Sequence, residues 1–87
     1  MKSNVKKIME EKGVTVRDLM AEIDRLFPRV HEEGKKKGQP LFTSSKTIMN
    51  ARDDAKIETC TLLTLKMIAR ALGVRVCDLF EEQTENE

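Results

Sequence analysis

Ser44, Ser45, Lys46, Thr47 and Asn50 are the side chains of this sequence best suited to meeting a polyanion. The Thr43-Ser44-Ser45 run offers three helix N-cap candidates, and a helix begun there presents free amide donors and the positive end of its dipole, a setting that favours phosphate. Lysine reaches guanine acceptors, asparagine pairs with adenine, and serine hydroxyls donate or accept. Helical periodicity over 44–52 turns Ile48 and Ala51 one way and sends Lys46 and Asn50, four apart, roughly the opposite way. Such a helix suits a DNA major groove. The plainer reading is an ordinary surface helix, polar on its outside.

The elements that must position this segment follow from apolar spacing. Val5, Ile8 and Met9 mark a first helix over roughly 4–12, stopped by Gly13. Thr15 is an N-cap with Asp18 in the first turn, and Val16, Leu19, Met20 and Ile23 form the next stripe. Leu26, Phe27 and Val30 continue that stripe across Pro28. The second helix therefore either kinks near 24–27 or gives way to a new helix with Pro28 in its first turn. Residues 31–42 hold two glycines and a proline and read as a flexible connection, with Leu41 and Phe42 as its anchors to the core. Residues 53–60 form a polar connection. Leu65, Ile68, Ala69 and Leu72 then stripe a helix over 62–72 that ends at Gly73, where a left-handed cap belongs. Val76, Leu79 and Phe80 mark a last helix over 76–82, and 83–87 is an acidic tail expected to fray. The expectation is one all-α domain over 1–82, five helices with no convincing strand and no internal repeat.

Composition narrows the chemistry. The chain has 87 residues and a formal net charge of +1, unevenly spread. Between 25 and 56, eight basic residues (Arg25, Arg29, Lys35, Lys36, Lys37, Lys46, Arg52, Lys56) face four acidic ones. Residues 1–24 balance, and 57–87 carry a charge of −3. A basic middle points to a local polyanion contact, or simply to a solvated loop. No apolar run approaches the ~20 residues of a membrane span, and no secretory signal pattern opens the chain, so a soluble cytoplasmic protein with no membrane partner is expected. Cys60 and Cys77 have neither zinc nor disulfide-framework spacing and read as reduced thiols in or near the core. With no Trp or Tyr, and only Phe27, Phe42 and Phe80, single-strand base stacking is disfavoured. His31, beside Glu32 and Glu33, could hold a metal or do catalysis but reads better as a solvated loop histidine. Asp53-Asp54 could be a cation site but reads better as a helix terminator. There is no Gly-rich phosphate loop, nucleophile elbow or carboxylate pair, so no enzyme, cofactor or metal is expected. The five methionines read as core filling.

The order of these segments resembles the phage-repressor/Cro-like helix-turn-helix family, the XRE family. The likeness covers roughly 4–24 and 44–82: the block Asn4 to Leu19, the block Ser44-Ser-Lys-Thr-Ile-Met-Asn-Ala-Arg52 with its Thr47-Ile48 pair, and Leu62 to Phe80. It implies a five-helix lambda-repressor-like DNA-binding domain, a homodimer on duplex DNA, with helix three in the major groove and helix two bracing the backbone. By position, Ser45, Lys46 and Asn50 would face bases. Ser44 and Thr47 would meet phosphate or an adjacent base edge, and Arg17, Arg52 and Lys56 would hold phosphates. The chain departs from the family at Val16, Met20, Arg52, Asp54 and Arg75. Its largest departure is an insertion, 24–43, in place of the tight turn between helices two and three, where Lys35, Lys36 and Lys37 would track a phosphate backbone. The expected function is a sequence-specific transcriptional regulator, a repressor. The alternative is a protein-interaction module, such as an antitoxin or adaptor, with a toxin or regulator as partner. The last helix is the candidate dimer surface, unless Phe80 completes the core instead.

Overall fold

Thr15 starts the second helix by a reciprocal cap. Its hydroxyl accepts from the Asp18 N–H at 3.1 Å, and the Asp18 carboxylate accepts from the Thr15 N–H at 3.1 Å. The computed structural model describes residues 2–81. Over that span the protein is mostly helical: β1 (Lys2–Ser3), α1 (Val5–Lys12), α2 (Val16–Leu26), α3 (Ser45–Arg52), a 3₁₀ turn at Ile57–Thr59, α4 (Leu62–Leu72), a second 3₁₀ turn at Val76–Leu79, and β2 (Phe80–Glu81). Gly13 and Gly73 close α1 and α4 in left-handed geometry (φ 67° and 73°), and the next N–H in each case, of Val14 or Val74, reaches back to a carbonyl of the last turn.

One core joins all four helices. Val5 and Met9 of α1, Leu19 and Ile23 of α2, and Ile48 and Ala51 of α3 are buried with Ile57, Leu79 and the α4 residues Leu65, Met67, Ile68, Ala69 and Leu72. The expected stripes of α1, α2 up to Ile23, and α4 are present, with Ile8, Val16 and Met20 half-buried against the core. Helix α4 buries Met67 besides its stripe because α2 and α3 both pack against it. Ile48 is fully buried, and a side chain of that size stabilises by about 2 kcal/mol when taken from water. That burial fixes which face of α3 points out.

Four expectations are corrected. First, the last helix over 76–82 is a 3₁₀ turn followed by a strand, so the described residues hold four α-helices and one short antiparallel strand pair, Lys2↔Glu81 and Ser3↔Phe80. The cause is Asn4. Its N–H donates to the Leu79 carbonyl at 2.8 Å, and its side-chain amide reaches the carbonyls of Asp78 (3.4 Å) and Phe80 (3.3 Å). Of these, the Asp78 carbonyl is one that a helix running to residue 82 would have used, and pairing with β1 holds Phe80 extended. Leu79 is fully buried, and Val76 and Phe80 are half-buried against the core, so the candidate dimer surface is not free. Residue 82 and the tail 83–87 lie outside the described residues.

Second, α2 neither kinks nor gives way to a helix at Pro28. It stops at Leu26, and Val30 is 52 % exposed. Third, 31–42 is not a slack connection. The chain turns back on itself as a hairpin: His31 N–H donates to Gln39 O (2.9 Å), Gly38 N–H to His31 O (2.8 Å) and Leu41 N–H to Arg29 O (2.9 Å). Gly34 and Gly38 supply the left-handed conformations of its tip, φ 86° and 88°.

Fourth, Leu41 and Phe42 do not anchor this hairpin, being 36 % and 68 % exposed. A half-buried polar clasp does so instead. One Asp24 carboxylate oxygen accepts from the Thr43 N–H (3.0 Å), the Thr43 hydroxyl (2.8 Å) and the Arg29 guanidinium (3.0 Å). The Arg29 guanidinium also donates to the Thr43 hydroxyl oxygen (2.6 Å) and to the Phe27 carbonyl (3.2 Å). Thr43 is buried and its polar atoms are satisfied. The clasp joins the two ends of the 24–43 insertion, so the chain enters α3 from a fixed point.

Candidate nucleic-acid interface

Immediately after that fixed point, Ser44 takes extended geometry and caps α3. Its hydroxyl accepts from the Thr47 N–H at 3.4 Å and lies 3.1 Å from the Thr47 hydroxyl. Among the described residues, no hydrogen bond engages the N–H groups of Ser45 and Lys46, which remain donors at the positive end of the helix. Burial of Ile48 and Ala51 turns Lys46, Met49 and Asn50 onto the opposite arc, with Ser45 beside it at the open start of the helix. Ser45, Lys46 and Met49 are exposed and Asn50 is partly so. No acidic residue occurs within α3.

The sequence candidates fall into three groups. Lys46 and Asn50 share the outward arc of α3, with Ser45 beside it at the helix start. Ser44 is exposed but serves as the cap, and Thr47 is half-buried, facing a cleft shared with Ile23, Thr64 and Met67. The other basic residues lie elsewhere. Arg17 is exposed in the first turn of α2, Lys56 is exposed in the turn after α3, and Lys35, Lys36 and Lys37 are exposed at the hairpin tip. Arg52 is half-buried, its guanidinium 3.8 Å from the Met49 sulfur.

Two basic residues of the middle segment are engaged within the chain. Arg29 is held in the clasp. Arg25 pairs with Glu22 at 2.6 Å on the exposed side of α2. The hydrogen bond from Arg25, with its charge, lowers the Glu22 carboxyl pKa, and Glu22 in turn raises that of Arg25. The acids after α3 are engaged too. Asp53 accepts from the Ala55 N–H at 2.8 Å, closing a turn, and Asp54 accepts from the Ser3 N–H at 2.8 Å, tying the end of α3 to β1.

The remaining candidates have structural surroundings. His31 is half-buried, with its backbone in the hairpin ladder. Cys60 packs against the core and burial raises its thiol pKa, whereas Cys77, expected in or near the core, is exposed. Among the described residues, no group of three or more His, Cys, Asp or Glu is placed to hold a metal ion. None of their helices is long and apolar enough to cross a membrane.

Two features escape the sequence patterns. Met49 stands between Lys46 and Asn50 on the outward arc, 52 % exposed, although methionines in this chain read as core. The register with Ile48 and Ala51 already required its outward position. The Asp24–Arg29–Thr43 clasp spans 19 residues between its first and last members, and no local pattern reports a pairing at that distance. A concave surface also lies away from α3's outward arc. It is a groove of about 680 Å³ at the hairpin base, lined by Pro28, Val30, Pro40, Leu41, Phe42 and Leu63 around the clasp. The chain matches no known family model, no curated protein and no solved structure.

Proposed function

We propose that this protein is a sequence-specific duplex-DNA-binding regulator, a repressor of the phage-repressor/Cro-like kind, that reads the major groove with α3. One observation carries the reading. The solvent-facing arc of α3 presents Lys46 and Asn50, with Ser45 beside it, without a neighbouring acid in the helix, on a rod whose inner face is fixed by fully buried Ile48 and Ala51. Lys46 and Asn50 are the base-reading pair in this account. Ser45, with the free N–H groups at the helix start, meets a phosphate. Arg17, Lys56 and the hairpin lysines add sequence-independent phosphate contacts.

Fluorescence-anisotropy titration against genomic duplex fragments tests this. The expected result is selective binding whose affinity falls with salt, with a log–log slope near −5 for a dimer meeting ~6 phosphates. Lys46→Ala and Asn50→Ala each relax base preference by about 1–3 kcal/mol. Affinity for all duplexes that is unmoved by both substitutions refutes the reading.

The second reading, a protein-interaction module, is favoured by the exposed apolar groove at the hairpin base and by Met49 on the outward arc. No gel retardation at low salt, together with a protein recovered by pull-down that loses its grip on a Met49→Asp variant, would favour it.

A further inference from the structure

Met49 is an apolar side chain on the outward arc of α3, and the pairing of Lys46 and Asn50 with bases leaves it without a task. Ile48 and Ala51, both fully buried, fix the register of the helix. At about 100° per residue, Lys46 then points almost directly away from the core, with Met49 and Asn50 about 50° to either side. Met49 is 52 % exposed, whereas Met9 and Met67 are buried. Its place on α3 therefore forgoes the stabilisation that burial gives a methionine.

With α3 read as a major-groove helix, on which this inference rests, we propose that Met49 is a specificity residue that packs on the C5-methyl group of a thymine. Most of what base pairs present in the major groove is polar: purine N7, guanine O6, thymine O4 and the amino groups of adenine and cytosine. The thymine methyl is the apolar exception. A thioether set against a donor or acceptor strips it of water and returns at most a weak hydrogen bond. Set against a methyl group, the same side chain removes apolar surface from water on both partners. Methionine is also unbranched and polarisable, so it adapts to a group that the backbone places only approximately.

The neighbours fit the same assignment. Asn50, next in sequence, suits adenine, whose thymine partner shows its methyl in the same groove. Lys46 lies one turn back on the same face. The Arg52 guanidinium sits 3.8 Å from the Met49 sulfur, so the thioether lies beside a group that can itself meet a phosphate. A lysine and an asparagine flanking Met49, in a helix without an acid, favour nucleic acid over the apolar centre of a protein interface, where lysine is depleted.

The test uses the full chain and the tightest duplex selected from a randomised pool, with affinity read by fluorescence anisotropy. Each thymine is replaced singly by deoxyuridine, which removes the C5-methyl group and keeps the hydrogen-bonding edge. Exchange at one position in a half-site should weaken binding about 4-fold, the worth of one buried methyl-sized group. Met49→Ala should shrink that ratio below about 1.5-fold, while Met49→Leu, still apolar, should keep it near 3-fold. Met49 is exposed, and unchanged far-ultraviolet circular dichroism verifies each fold. A duplex in which no thymine responds, or one whose response is the same in Met49→Ala, overturns the assignment and leaves α3 as the groove reader. So does a gain from 5-methylcytosine in place of cytosine with no response at any thymine, which gives Met49 to a different methylated base. If no duplex is selected, or a protein is captured through Met49 instead, the assignment falls together with the reading beneath it.

Discussion

Asp24→Ala should be the most damaging single change outside the apolar core. The substitution removes three hydrogen bonds at one carboxylate oxygen: 3.0 Å to the Thr43 N–H, 2.8 Å to its hydroxyl and 3.0 Å to Arg29. Thr43 is 7 % exposed, so its N–H gains little from water in exchange, and a buried donor left unpaired costs about 1–3 kcal/mol. Arg29 retains the Thr43 hydroxyl and the Phe27 carbonyl and is partly solvated, so losing its ion pair adds only about 0.5–1 kcal/mol. The sum is roughly 1.5–4 kcal/mol. For a domain of this size that is a fall in Tm of roughly 6–30 °C, read by circular dichroism at 222 nm. Asp24→Asn keeps one oxygen acceptor and should lose about half as much. A double-mutant cycle with Thr43→Val should show a coupling of about 1 kcal/mol. A Tm change under about 3 °C for Asp24→Ala would refute the claim that the clasp, rather than Leu41 and Phe42, anchors the insertion.

Two further outcomes can be stated. Replacing Lys35, Lys36 and Lys37 by Gln should weaken binding to every duplex about equally and reduce the salt slope by up to about 3, read by the same anisotropy titration. With iodoacetamide near pH 8, Cys77 should label well before Cys60, because Cys77 is exposed while burial raises the Cys60 pKa and holds it as the unreactive thiol, read by peptide mass spectrometry.

The apolar stripes and caps of α1 to α4 are legible in the sequence because helix periodicity and N-caps are local. Gly13, Thr15 and Gly73, and the Thr43-Ser44-Ser45 run from which Ser44 takes the cap, each act within a few residues of the helix they begin or end. The same locality makes the outward placement of Lys46 and Asn50 legible, since it follows from Ile48 and Ala51. What is illegible is set at long range. Val76 to Phe80 carries helix-like spacing, yet Asn4, more than seventy residues away, takes its carbonyls. The apolar continuation through Phe27 and Val30 looks like helix because the pattern cannot show that Asp24 and Arg29 will close on Thr43. The same closure takes Arg29 out of the pool of free cations that composition alone counts.

The pairing of Lys2–Ser3 with Phe80–Glu81 makes the described chain nearly a ring. A short Gly-Ser bridge could join those neighbours, and the break could be moved to the exposed tip between Gly34 and Gly38, beyond the clasp that seals the hairpin's base. A circularly permuted protein of this design would keep every helix and every contact of the core, and would offer both new ends as attachment points on the lysine-bearing tip.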